Sequence, residues 1–143
     1  MIHIQALLRV VRDTLLASQQ FSGVYWGEAP QDATYPYAIY LQTAGGDDNA
    51  RAAKKSAAIT LQITCFSDDT GAAFAGAATI DGLFDDRGEQ DHAPATAPID
   101  ATGQGWHITT ITAVGDVTTI ERYENVKPIY QAGKEYQFVM EEV

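Results

Sequence analysis

Cysteine, basic residues and long apolar runs are scarce in this chain, and each shortage excludes a class of protein. Cys65 is the sole cysteine in 143 residues, so no disulfide can close within the chain and no cysteine cluster can hold zinc. Lysine and arginine total 9 against 19 aspartates and glutamates, a formal charge of -10. A surface that condenses on DNA phosphates or anionic lipid needs the opposite balance. No run approaches the ~20 apolar residues of a membrane-spanning helix, and the first residues lack the basic start, apolar stretch and cleavage site of a signal peptide. Neither a membrane partner nor export is expected. The three histidines, His3, His92 and His107, fall in a helix start, a loop and a strand, without the paired spacing of a zinc protease. No glycine loop can cradle phosphate, because Gly45-Gly46 runs into Asp47-Asp48.

What remains is material for one core. A 45% apolar share is that of a globular chain, and a chain of this length forms one domain, here residues 1–143. Ile4, Leu7, Leu8, Val11 and Leu15 recur at three and four and predict an amphipathic helix over about 2–19. Val24-Tyr25-Trp26 reads as a short strand before Gly27, and Tyr37 to Gln42 as a second strand with Tyr37, Ile39 and Leu41 on one face. Pro36, lacking an N–H, belongs at that strand's entry or on a sheet edge. From Ala57 to Phe66 the alternation is clean, with Ile59, Leu61, Ile63 and Cys65 predicted to face the core. Asp68, Asp69 and Thr70 offer caps for an alanine-rich helix over about 70–86.

The connections carry their own expectations. Residues 45–56 hold no large apolar side chain and predict an exposed hairpin loop; residues 87–105 predict a long loop without a period of its own. Trp106–Val114 and Val117–Tyr123 flank Gly115-Asp116, which predicts a tight hairpin, and Gly133 predicts a break before a last strand at 135–142. The order is not the strand-helix alternation of parallel sheets. It predicts an α+β fold, an antiparallel or mixed sheet with two helices on one face.

No constellation for catalysis emerges. Cys65 sits where a thiol is a small hydrophobe, and the acids Asp81, Asp85, Asp86, Glu89 and Asp91 lack the calcium-loop pattern. No catalytic, cofactor or metal residue is therefore expected, and the chain does not read as an enzyme. Two features suggest contacts instead. Arg51, Lys54 and Lys55 concentrate positive charge on an acidic chain, and Trp26 and Tyr35 place aromatics beside turn residues, where they can anchor a subunit contact.

Val24-Tyr25-Trp26-Gly27-Glu28-Ala29-Pro30 followed by Tyr35-Pro36-Tyr37-Ala38-Ile39-Tyr40, between an amphipathic helix and the strand Ile59–Phe66 with its alanine-rich helix, resembles the tail terminator, or tail completion, proteins of long-tailed bacteriophages. The match in order and spacing covers about residues 2–86. The resemblance implies a structural subunit that forms a hexameric ring on the head-proximal end of the tail tube. The ring would stop tube polymerisation, join the neck proteins and let DNA pass without specific binding. Its place would be the virion, after assembly in the host cytoplasm. Under that implication the cluster Arg51, Lys54 and Lys55 would touch a neighbour or the tube, and Asp81, Asp85 and Glu89 would line the channel. A head-tail connector or stopper, and a small-molecule-binding domain with the aromatic cluster in its pocket, are the alternative readings.

Overall fold

The computed structural model describes residues 2–47, 56–84, 106–122 and 127–142. The chain runs α1 (Ile2–Ala17), β1 (Gly23–Trp26), β2 (Tyr37–Asp47), β3 (Ser56–Ser67), α2 (Thr70–Phe84), β4 (Trp106–Glu121) and β5 (Ile129–Glu142). The five strands form one mixed sheet in the order β1-β2-β3-β5-β4. Only β1 is parallel to its neighbour β2; the other pairs are antiparallel. The fold is α+β, as the pattern predicts.

The buried side of the sheet follows from register. Ile59, Leu61, Ile63 and Cys65 of β3 are fully buried, and their partners across the ladders are Tyr40 and Ala38 of β2 and Phe138, Tyr136 and Ala132 of β5. Residues directly opposite in an antiparallel pair share a face. Ile59, Leu61, Ile63, Cys65, Tyr40, Tyr136 and Phe138 meet Leu7, Val11 and Leu15 of α1 and Ile80 and Phe84 of α2 in one core, so both helices cover the same face. Asp69 caps α2, its carboxylate accepting from the Ala72 N–H at 2.9 Å. Gly76 lets α2 lie close to β3, since a Cβ there would collide with the Cys65 side chain.

Three expectations are corrected. Gly115-Asp116 forms no hairpin: β4 is one strand of 16 residues paired along its length with β5. Register shifts between Ile108 and Thr110 and between Ala113 and Gly115 move the inward set from Trp106 and Ile108 to Ile111 and Ala113, then to Asp116, Thr118 and Ile120. Such phase jumps make one bulged strand look like two short ones. Gly133 is likewise no break. It lies inside β5, opposite Thr64, where a Cβ would strike the Ile63 carbonyl oxygen and the Thr64 backbone. Finally, the predicted loop at 45–56 is shorter at both ends, because β2 continues to Asp47 and β3 starts at Ser56. The segment 87–105 lies outside the described residues.

Candidate functional site: two sheet ends and an open face

The helical layer does not span the sheet. α1 lies beside β1, and α2 covers β3 and β5; on the inward side of β4 Trp106, Ile108 and Ile111 are buried in the core, whereas Asp116, Thr118 and Ile120 are exposed. There a groove of about 320 Å³ opens between α2 and β4, lined by residues that include Phe74, Ala78, Asp81, Asp116, Thr118 and Lys134. Asp81 accepts from the Tyr136 hydroxyl at 3.0 Å and pairs with Lys134 at 3.2 Å. Asp116 stands opposite Lys134 in the β4–β5 ladder, so the groove lining holds two carboxylates against one ammonium and carries an excess negative charge.

At the other end Trp26 of β1 is exposed and tilts against Tyr40, ring centroids 5.5 Å apart. Burial raises the Tyr40 phenol above its ordinary pKa, while the nearby Arg12 guanidinium lowers it and Asp13 raises it. Arg12 thus sits on the Tyr40 and Trp26 side of α1. Leu16, one turn on from Arg12 and exposed, follows it along α1. Val10, Asp13, Thr14 and Ala17 line a separate groove toward Leu83 of α2.

Among the described residues no helix lies on the outward face of the sheet. Tyr37 stacks between Tyr35 and Phe66, centroids 5.5 and 5.3 Å apart, and Tyr25 meets it edge-on at 5.8 Å. Burial, followed by the charges of Tyr35, Glu121 and Tyr25, raises the Tyr37 phenol above its usual pKa. Toward β5 and β4 the face turns polar: the Thr119 hydroxyl donates to Gln131 at 2.7 Å, and the Gln131 amide donates to Thr64 at 3.0 Å. By register Glu121, Glu135 and Glu141 share this face, and none of its described strand positions is lysine or arginine.

Of the residues singled out from sequence, Trp26 lies at the β1 end and Tyr35 in the outward aromatic stack, and the structure does not bring them into one patch. Asp81 lies on the helical side in the pair with Lys134. Arg51, Lys54, Lys55, Asp85 and Glu89 lie outside the described residues. The groove residues come from stretches around 74–81, 116–118 and 132–134, so only strand register could reveal them; the earlier hairpin expectation hid Asp116 from Lys134. Among the described residues no group of three or more His, Cys, Asp or Glu could hold a metal ion, and no described helix is long and apolar enough to cross a membrane.

Cys65 is buried, and burial pushes its thiol up to about 11. At pH 8 it should react with a thiol reagent at least about 1000-fold more slowly in buffer than in urea, because attack awaits unfolding. The raised pKa means the folded state favours the protonated thiol. Its contribution to stability is therefore complete below pH 9 and is lost, by about 1.4 kcal/mol per pH unit, as pH rises from 9 toward about 11. Urea melts across that range check the slope.

These features define a small α+β structural subunit whose distinctive surfaces are two unlike sheet ends and one uncovered face. The family model described as "Tail completion protein gp17" matches residues 3–109, and the chain belongs to that family of phage tail proteins. Its role is structural and its place is the virion tail, in assembly with other virion proteins. Among solved structures, a chain of the "Virion of native gene transfer agent (GTA) particle" has the same fold, with TM-score 0.56, 12% identity and 96% of each chain covered. A second solved chain aligns at TM-score 0.47 and 12% identity over 99% of this chain and 94% of its own. No curated protein sequence matches.

Proposed function

We propose that this protein is the tail terminator: six copies form a ring on the head-proximal end of the tail tube, stop tube polymerisation, and present the surface that the neck proteins join. The observation that carries this reading is membership of the tail completion family across residues 3–109. The protomer's form supports it, since two unlike sheet ends suit a ring built head to tail, in which the upper and lower surfaces also differ. One surface satisfies the open tube end and the other offers no site for a further tube ring, so the protein acts without catalysis or cofactor. Assembly takes place in the host cytoplasm.

Six copies of a -10 chain carry about -60 by formal count. With the uncovered sheet face turned inward, Glu121, Glu135 and Glu141 stand on the channel wall and Asp81 on the helical side, and DNA slides past without phosphate-binding cations. The basic segment at Arg51, Lys54 and Lys55 reaches a neighbouring copy or the tube.

Electron microscopy of the purified protein with and without tail tubes tests the reading. The expected result is a six-fold ring on one end of each tube, with tubes mixed with the protein no longer growing. Replacing Arg51, Lys54 and Lys55 with serine should leave the fold intact and cut the capped fraction severalfold. Binding to the portal end of heads, with tube ends left bare, would instead make the protein a connector or stopper.

A further inference from the structure

The exposed large apolar side chains are not scattered. Among the described residues they are Leu16, Trp26, Phe74, Val114 and Ile120, exposed by 46–52%. Trp26 lies on edge strand β1 and Leu16 on the helix beside it; Val114 and Ile120 lie on edge strand β4, and Phe74 lines the groove against it. All five therefore fall at the two lateral ends of the sheet. Single exposed apolar residues need no explanation, but their confinement to two opposite ends does. The charges sort in the same way. Arg12 accompanies Trp26 and Leu16, whereas the groove holds Asp81 and Asp116 against the single Lys134.

We propose that these ends are the two halves of one contact between copies. The Trp26, Leu16 and Arg12 end of one protomer seats on the Phe74, Asp116 and Thr118 groove of the next and on Ile120 beside it, with Arg12 supplying a cation to the groove's second carboxylate. The helical layer explains the fit. Trp106, Ile108 and Ile111 of β4 are buried in the core, but the inward positions Asp116, Thr118 and Ile120 are exposed beside α2, so the second half of β4 is open to a further helix. α1 of the following copy covers it, and the sequence α1, α2, α1, α2 continues around the assembly. Because the halves differ, the contact is heterologous and each copy still has a free end after binding, the requirement for a closed ring rather than a dimer. The contact rests on the ring reading, and it specifies which surfaces close the ring.

Disulfide trapping tests it. Cys65 is buried and takes no part, and Leu16→Cys and Thr118→Cys place one thiol at each end without touching the proposed ion pair. With both substitutions on one chain, mild oxidation should give a ladder of linked species beyond the dimer, each joined 16 to 118 by peptide mass mapping. With the substitutions on separate chains, mixing should give a linked dimer and nothing larger. A Thr112→Cys variant, placed on the outward face, should link to Leu16→Cys at least tenfold less. A second arm exchanges the charges: Arg12→Asp or Asp116→Arg alone should lower the yield at least tenfold, and the two together should restore it. The contact is overturned if the 16–118 link does not exceed the control, either in free protein or on tail tubes, or if the charge exchange does not rescue it. Tube capping, scored separately by sedimentation, keeps the two readings apart. Capped tubes without the 16–118 link refute this contact and leave the terminator role standing; the ladder without capping does the reverse.

Discussion

Truncating Phe84 to alanine should lower the unfolding free energy by about 4 kcal/mol, the cost of removing a buried aromatic ring and leaving its cavity. Phe84 is fully buried at the end of α2. Its ring meets Tyr136 at 6.0 Å and Phe138 at 6.1 Å, so it anchors α2 to the interior strand β5, on which β3 and β4 both pair. The space cannot easily collapse, because Tyr136 is tied to Asp81 of the same helix by its hydroxyl. Against a total stability on the order of 10 kcal/mol for a chain of this size, the loss corresponds to a fall in Tm of about 10 °C. Urea denaturation gives the free energy directly. Phe74→Ala, in the same helix but exposed, should cost less than about 0.5 kcal/mol. It should nonetheless impair assembly through the groove, so the two phenylalanines separate folding from association.

The contrast between these two residues shows what could be read from sequence. Periodicity located α1, the cap at Asp69 and the buried face of β3, because a local pattern that fits its own secondary structure needs no distant partner to interpret it. Along α2, Ala73, Ala77, Ile80 and Phe84 recur at helical spacing. Phe74 gave no such signal; its exposure beside β4 depends on pairings some 40 residues further along. Gly115-Asp116 and Gly133 were misread for the same reason. A glycine inside a β-branched run marks a turn, a bulge or a close backbone approach, and only the partner strand decides among them. Here Gly115 follows a bulge and Gly133 packs against the Thr64 backbone. The groove and the two sheet ends depend on register, so the sequence pattern carried the core further than the site.

In the proposed ring, with the outward sheet face lining the channel, replacing Glu121, Glu135 and Glu141 together with lysine should create a grip on DNA. By register the three carboxylates occupy the outward face, and none of the described strand positions of that face is lysine or arginine. Each chain changes by six charges, and a six-fold ring by about 36. If each copy brings one lysine to a phosphate, about six contacts form, and binding then weakens about 1000-fold between 50 and 200 mM salt by counterion release. The expected result is a gel shift of duplex DNA at 50 mM salt for the variant ring, none for the unaltered ring, and disappearance of the shift at high salt. These are surface positions, so stability should change by no more than about 0.5 kcal/mol at each. The Phe74→Ala background, in which the proposed contact should be weakened, supplies the control. There the same lysines sit on separate chains and lose the shared grip, so the shift should fall at least tenfold. A ring that assembles with all eighteen lysines and still leaves DNA unbound would place this face outside the channel, and the wall would have to be sought on another surface of the protomer. In virions, the binding variant should join heads to tails and then release DNA more slowly, because every retained phosphate contact becomes a barrier to passage.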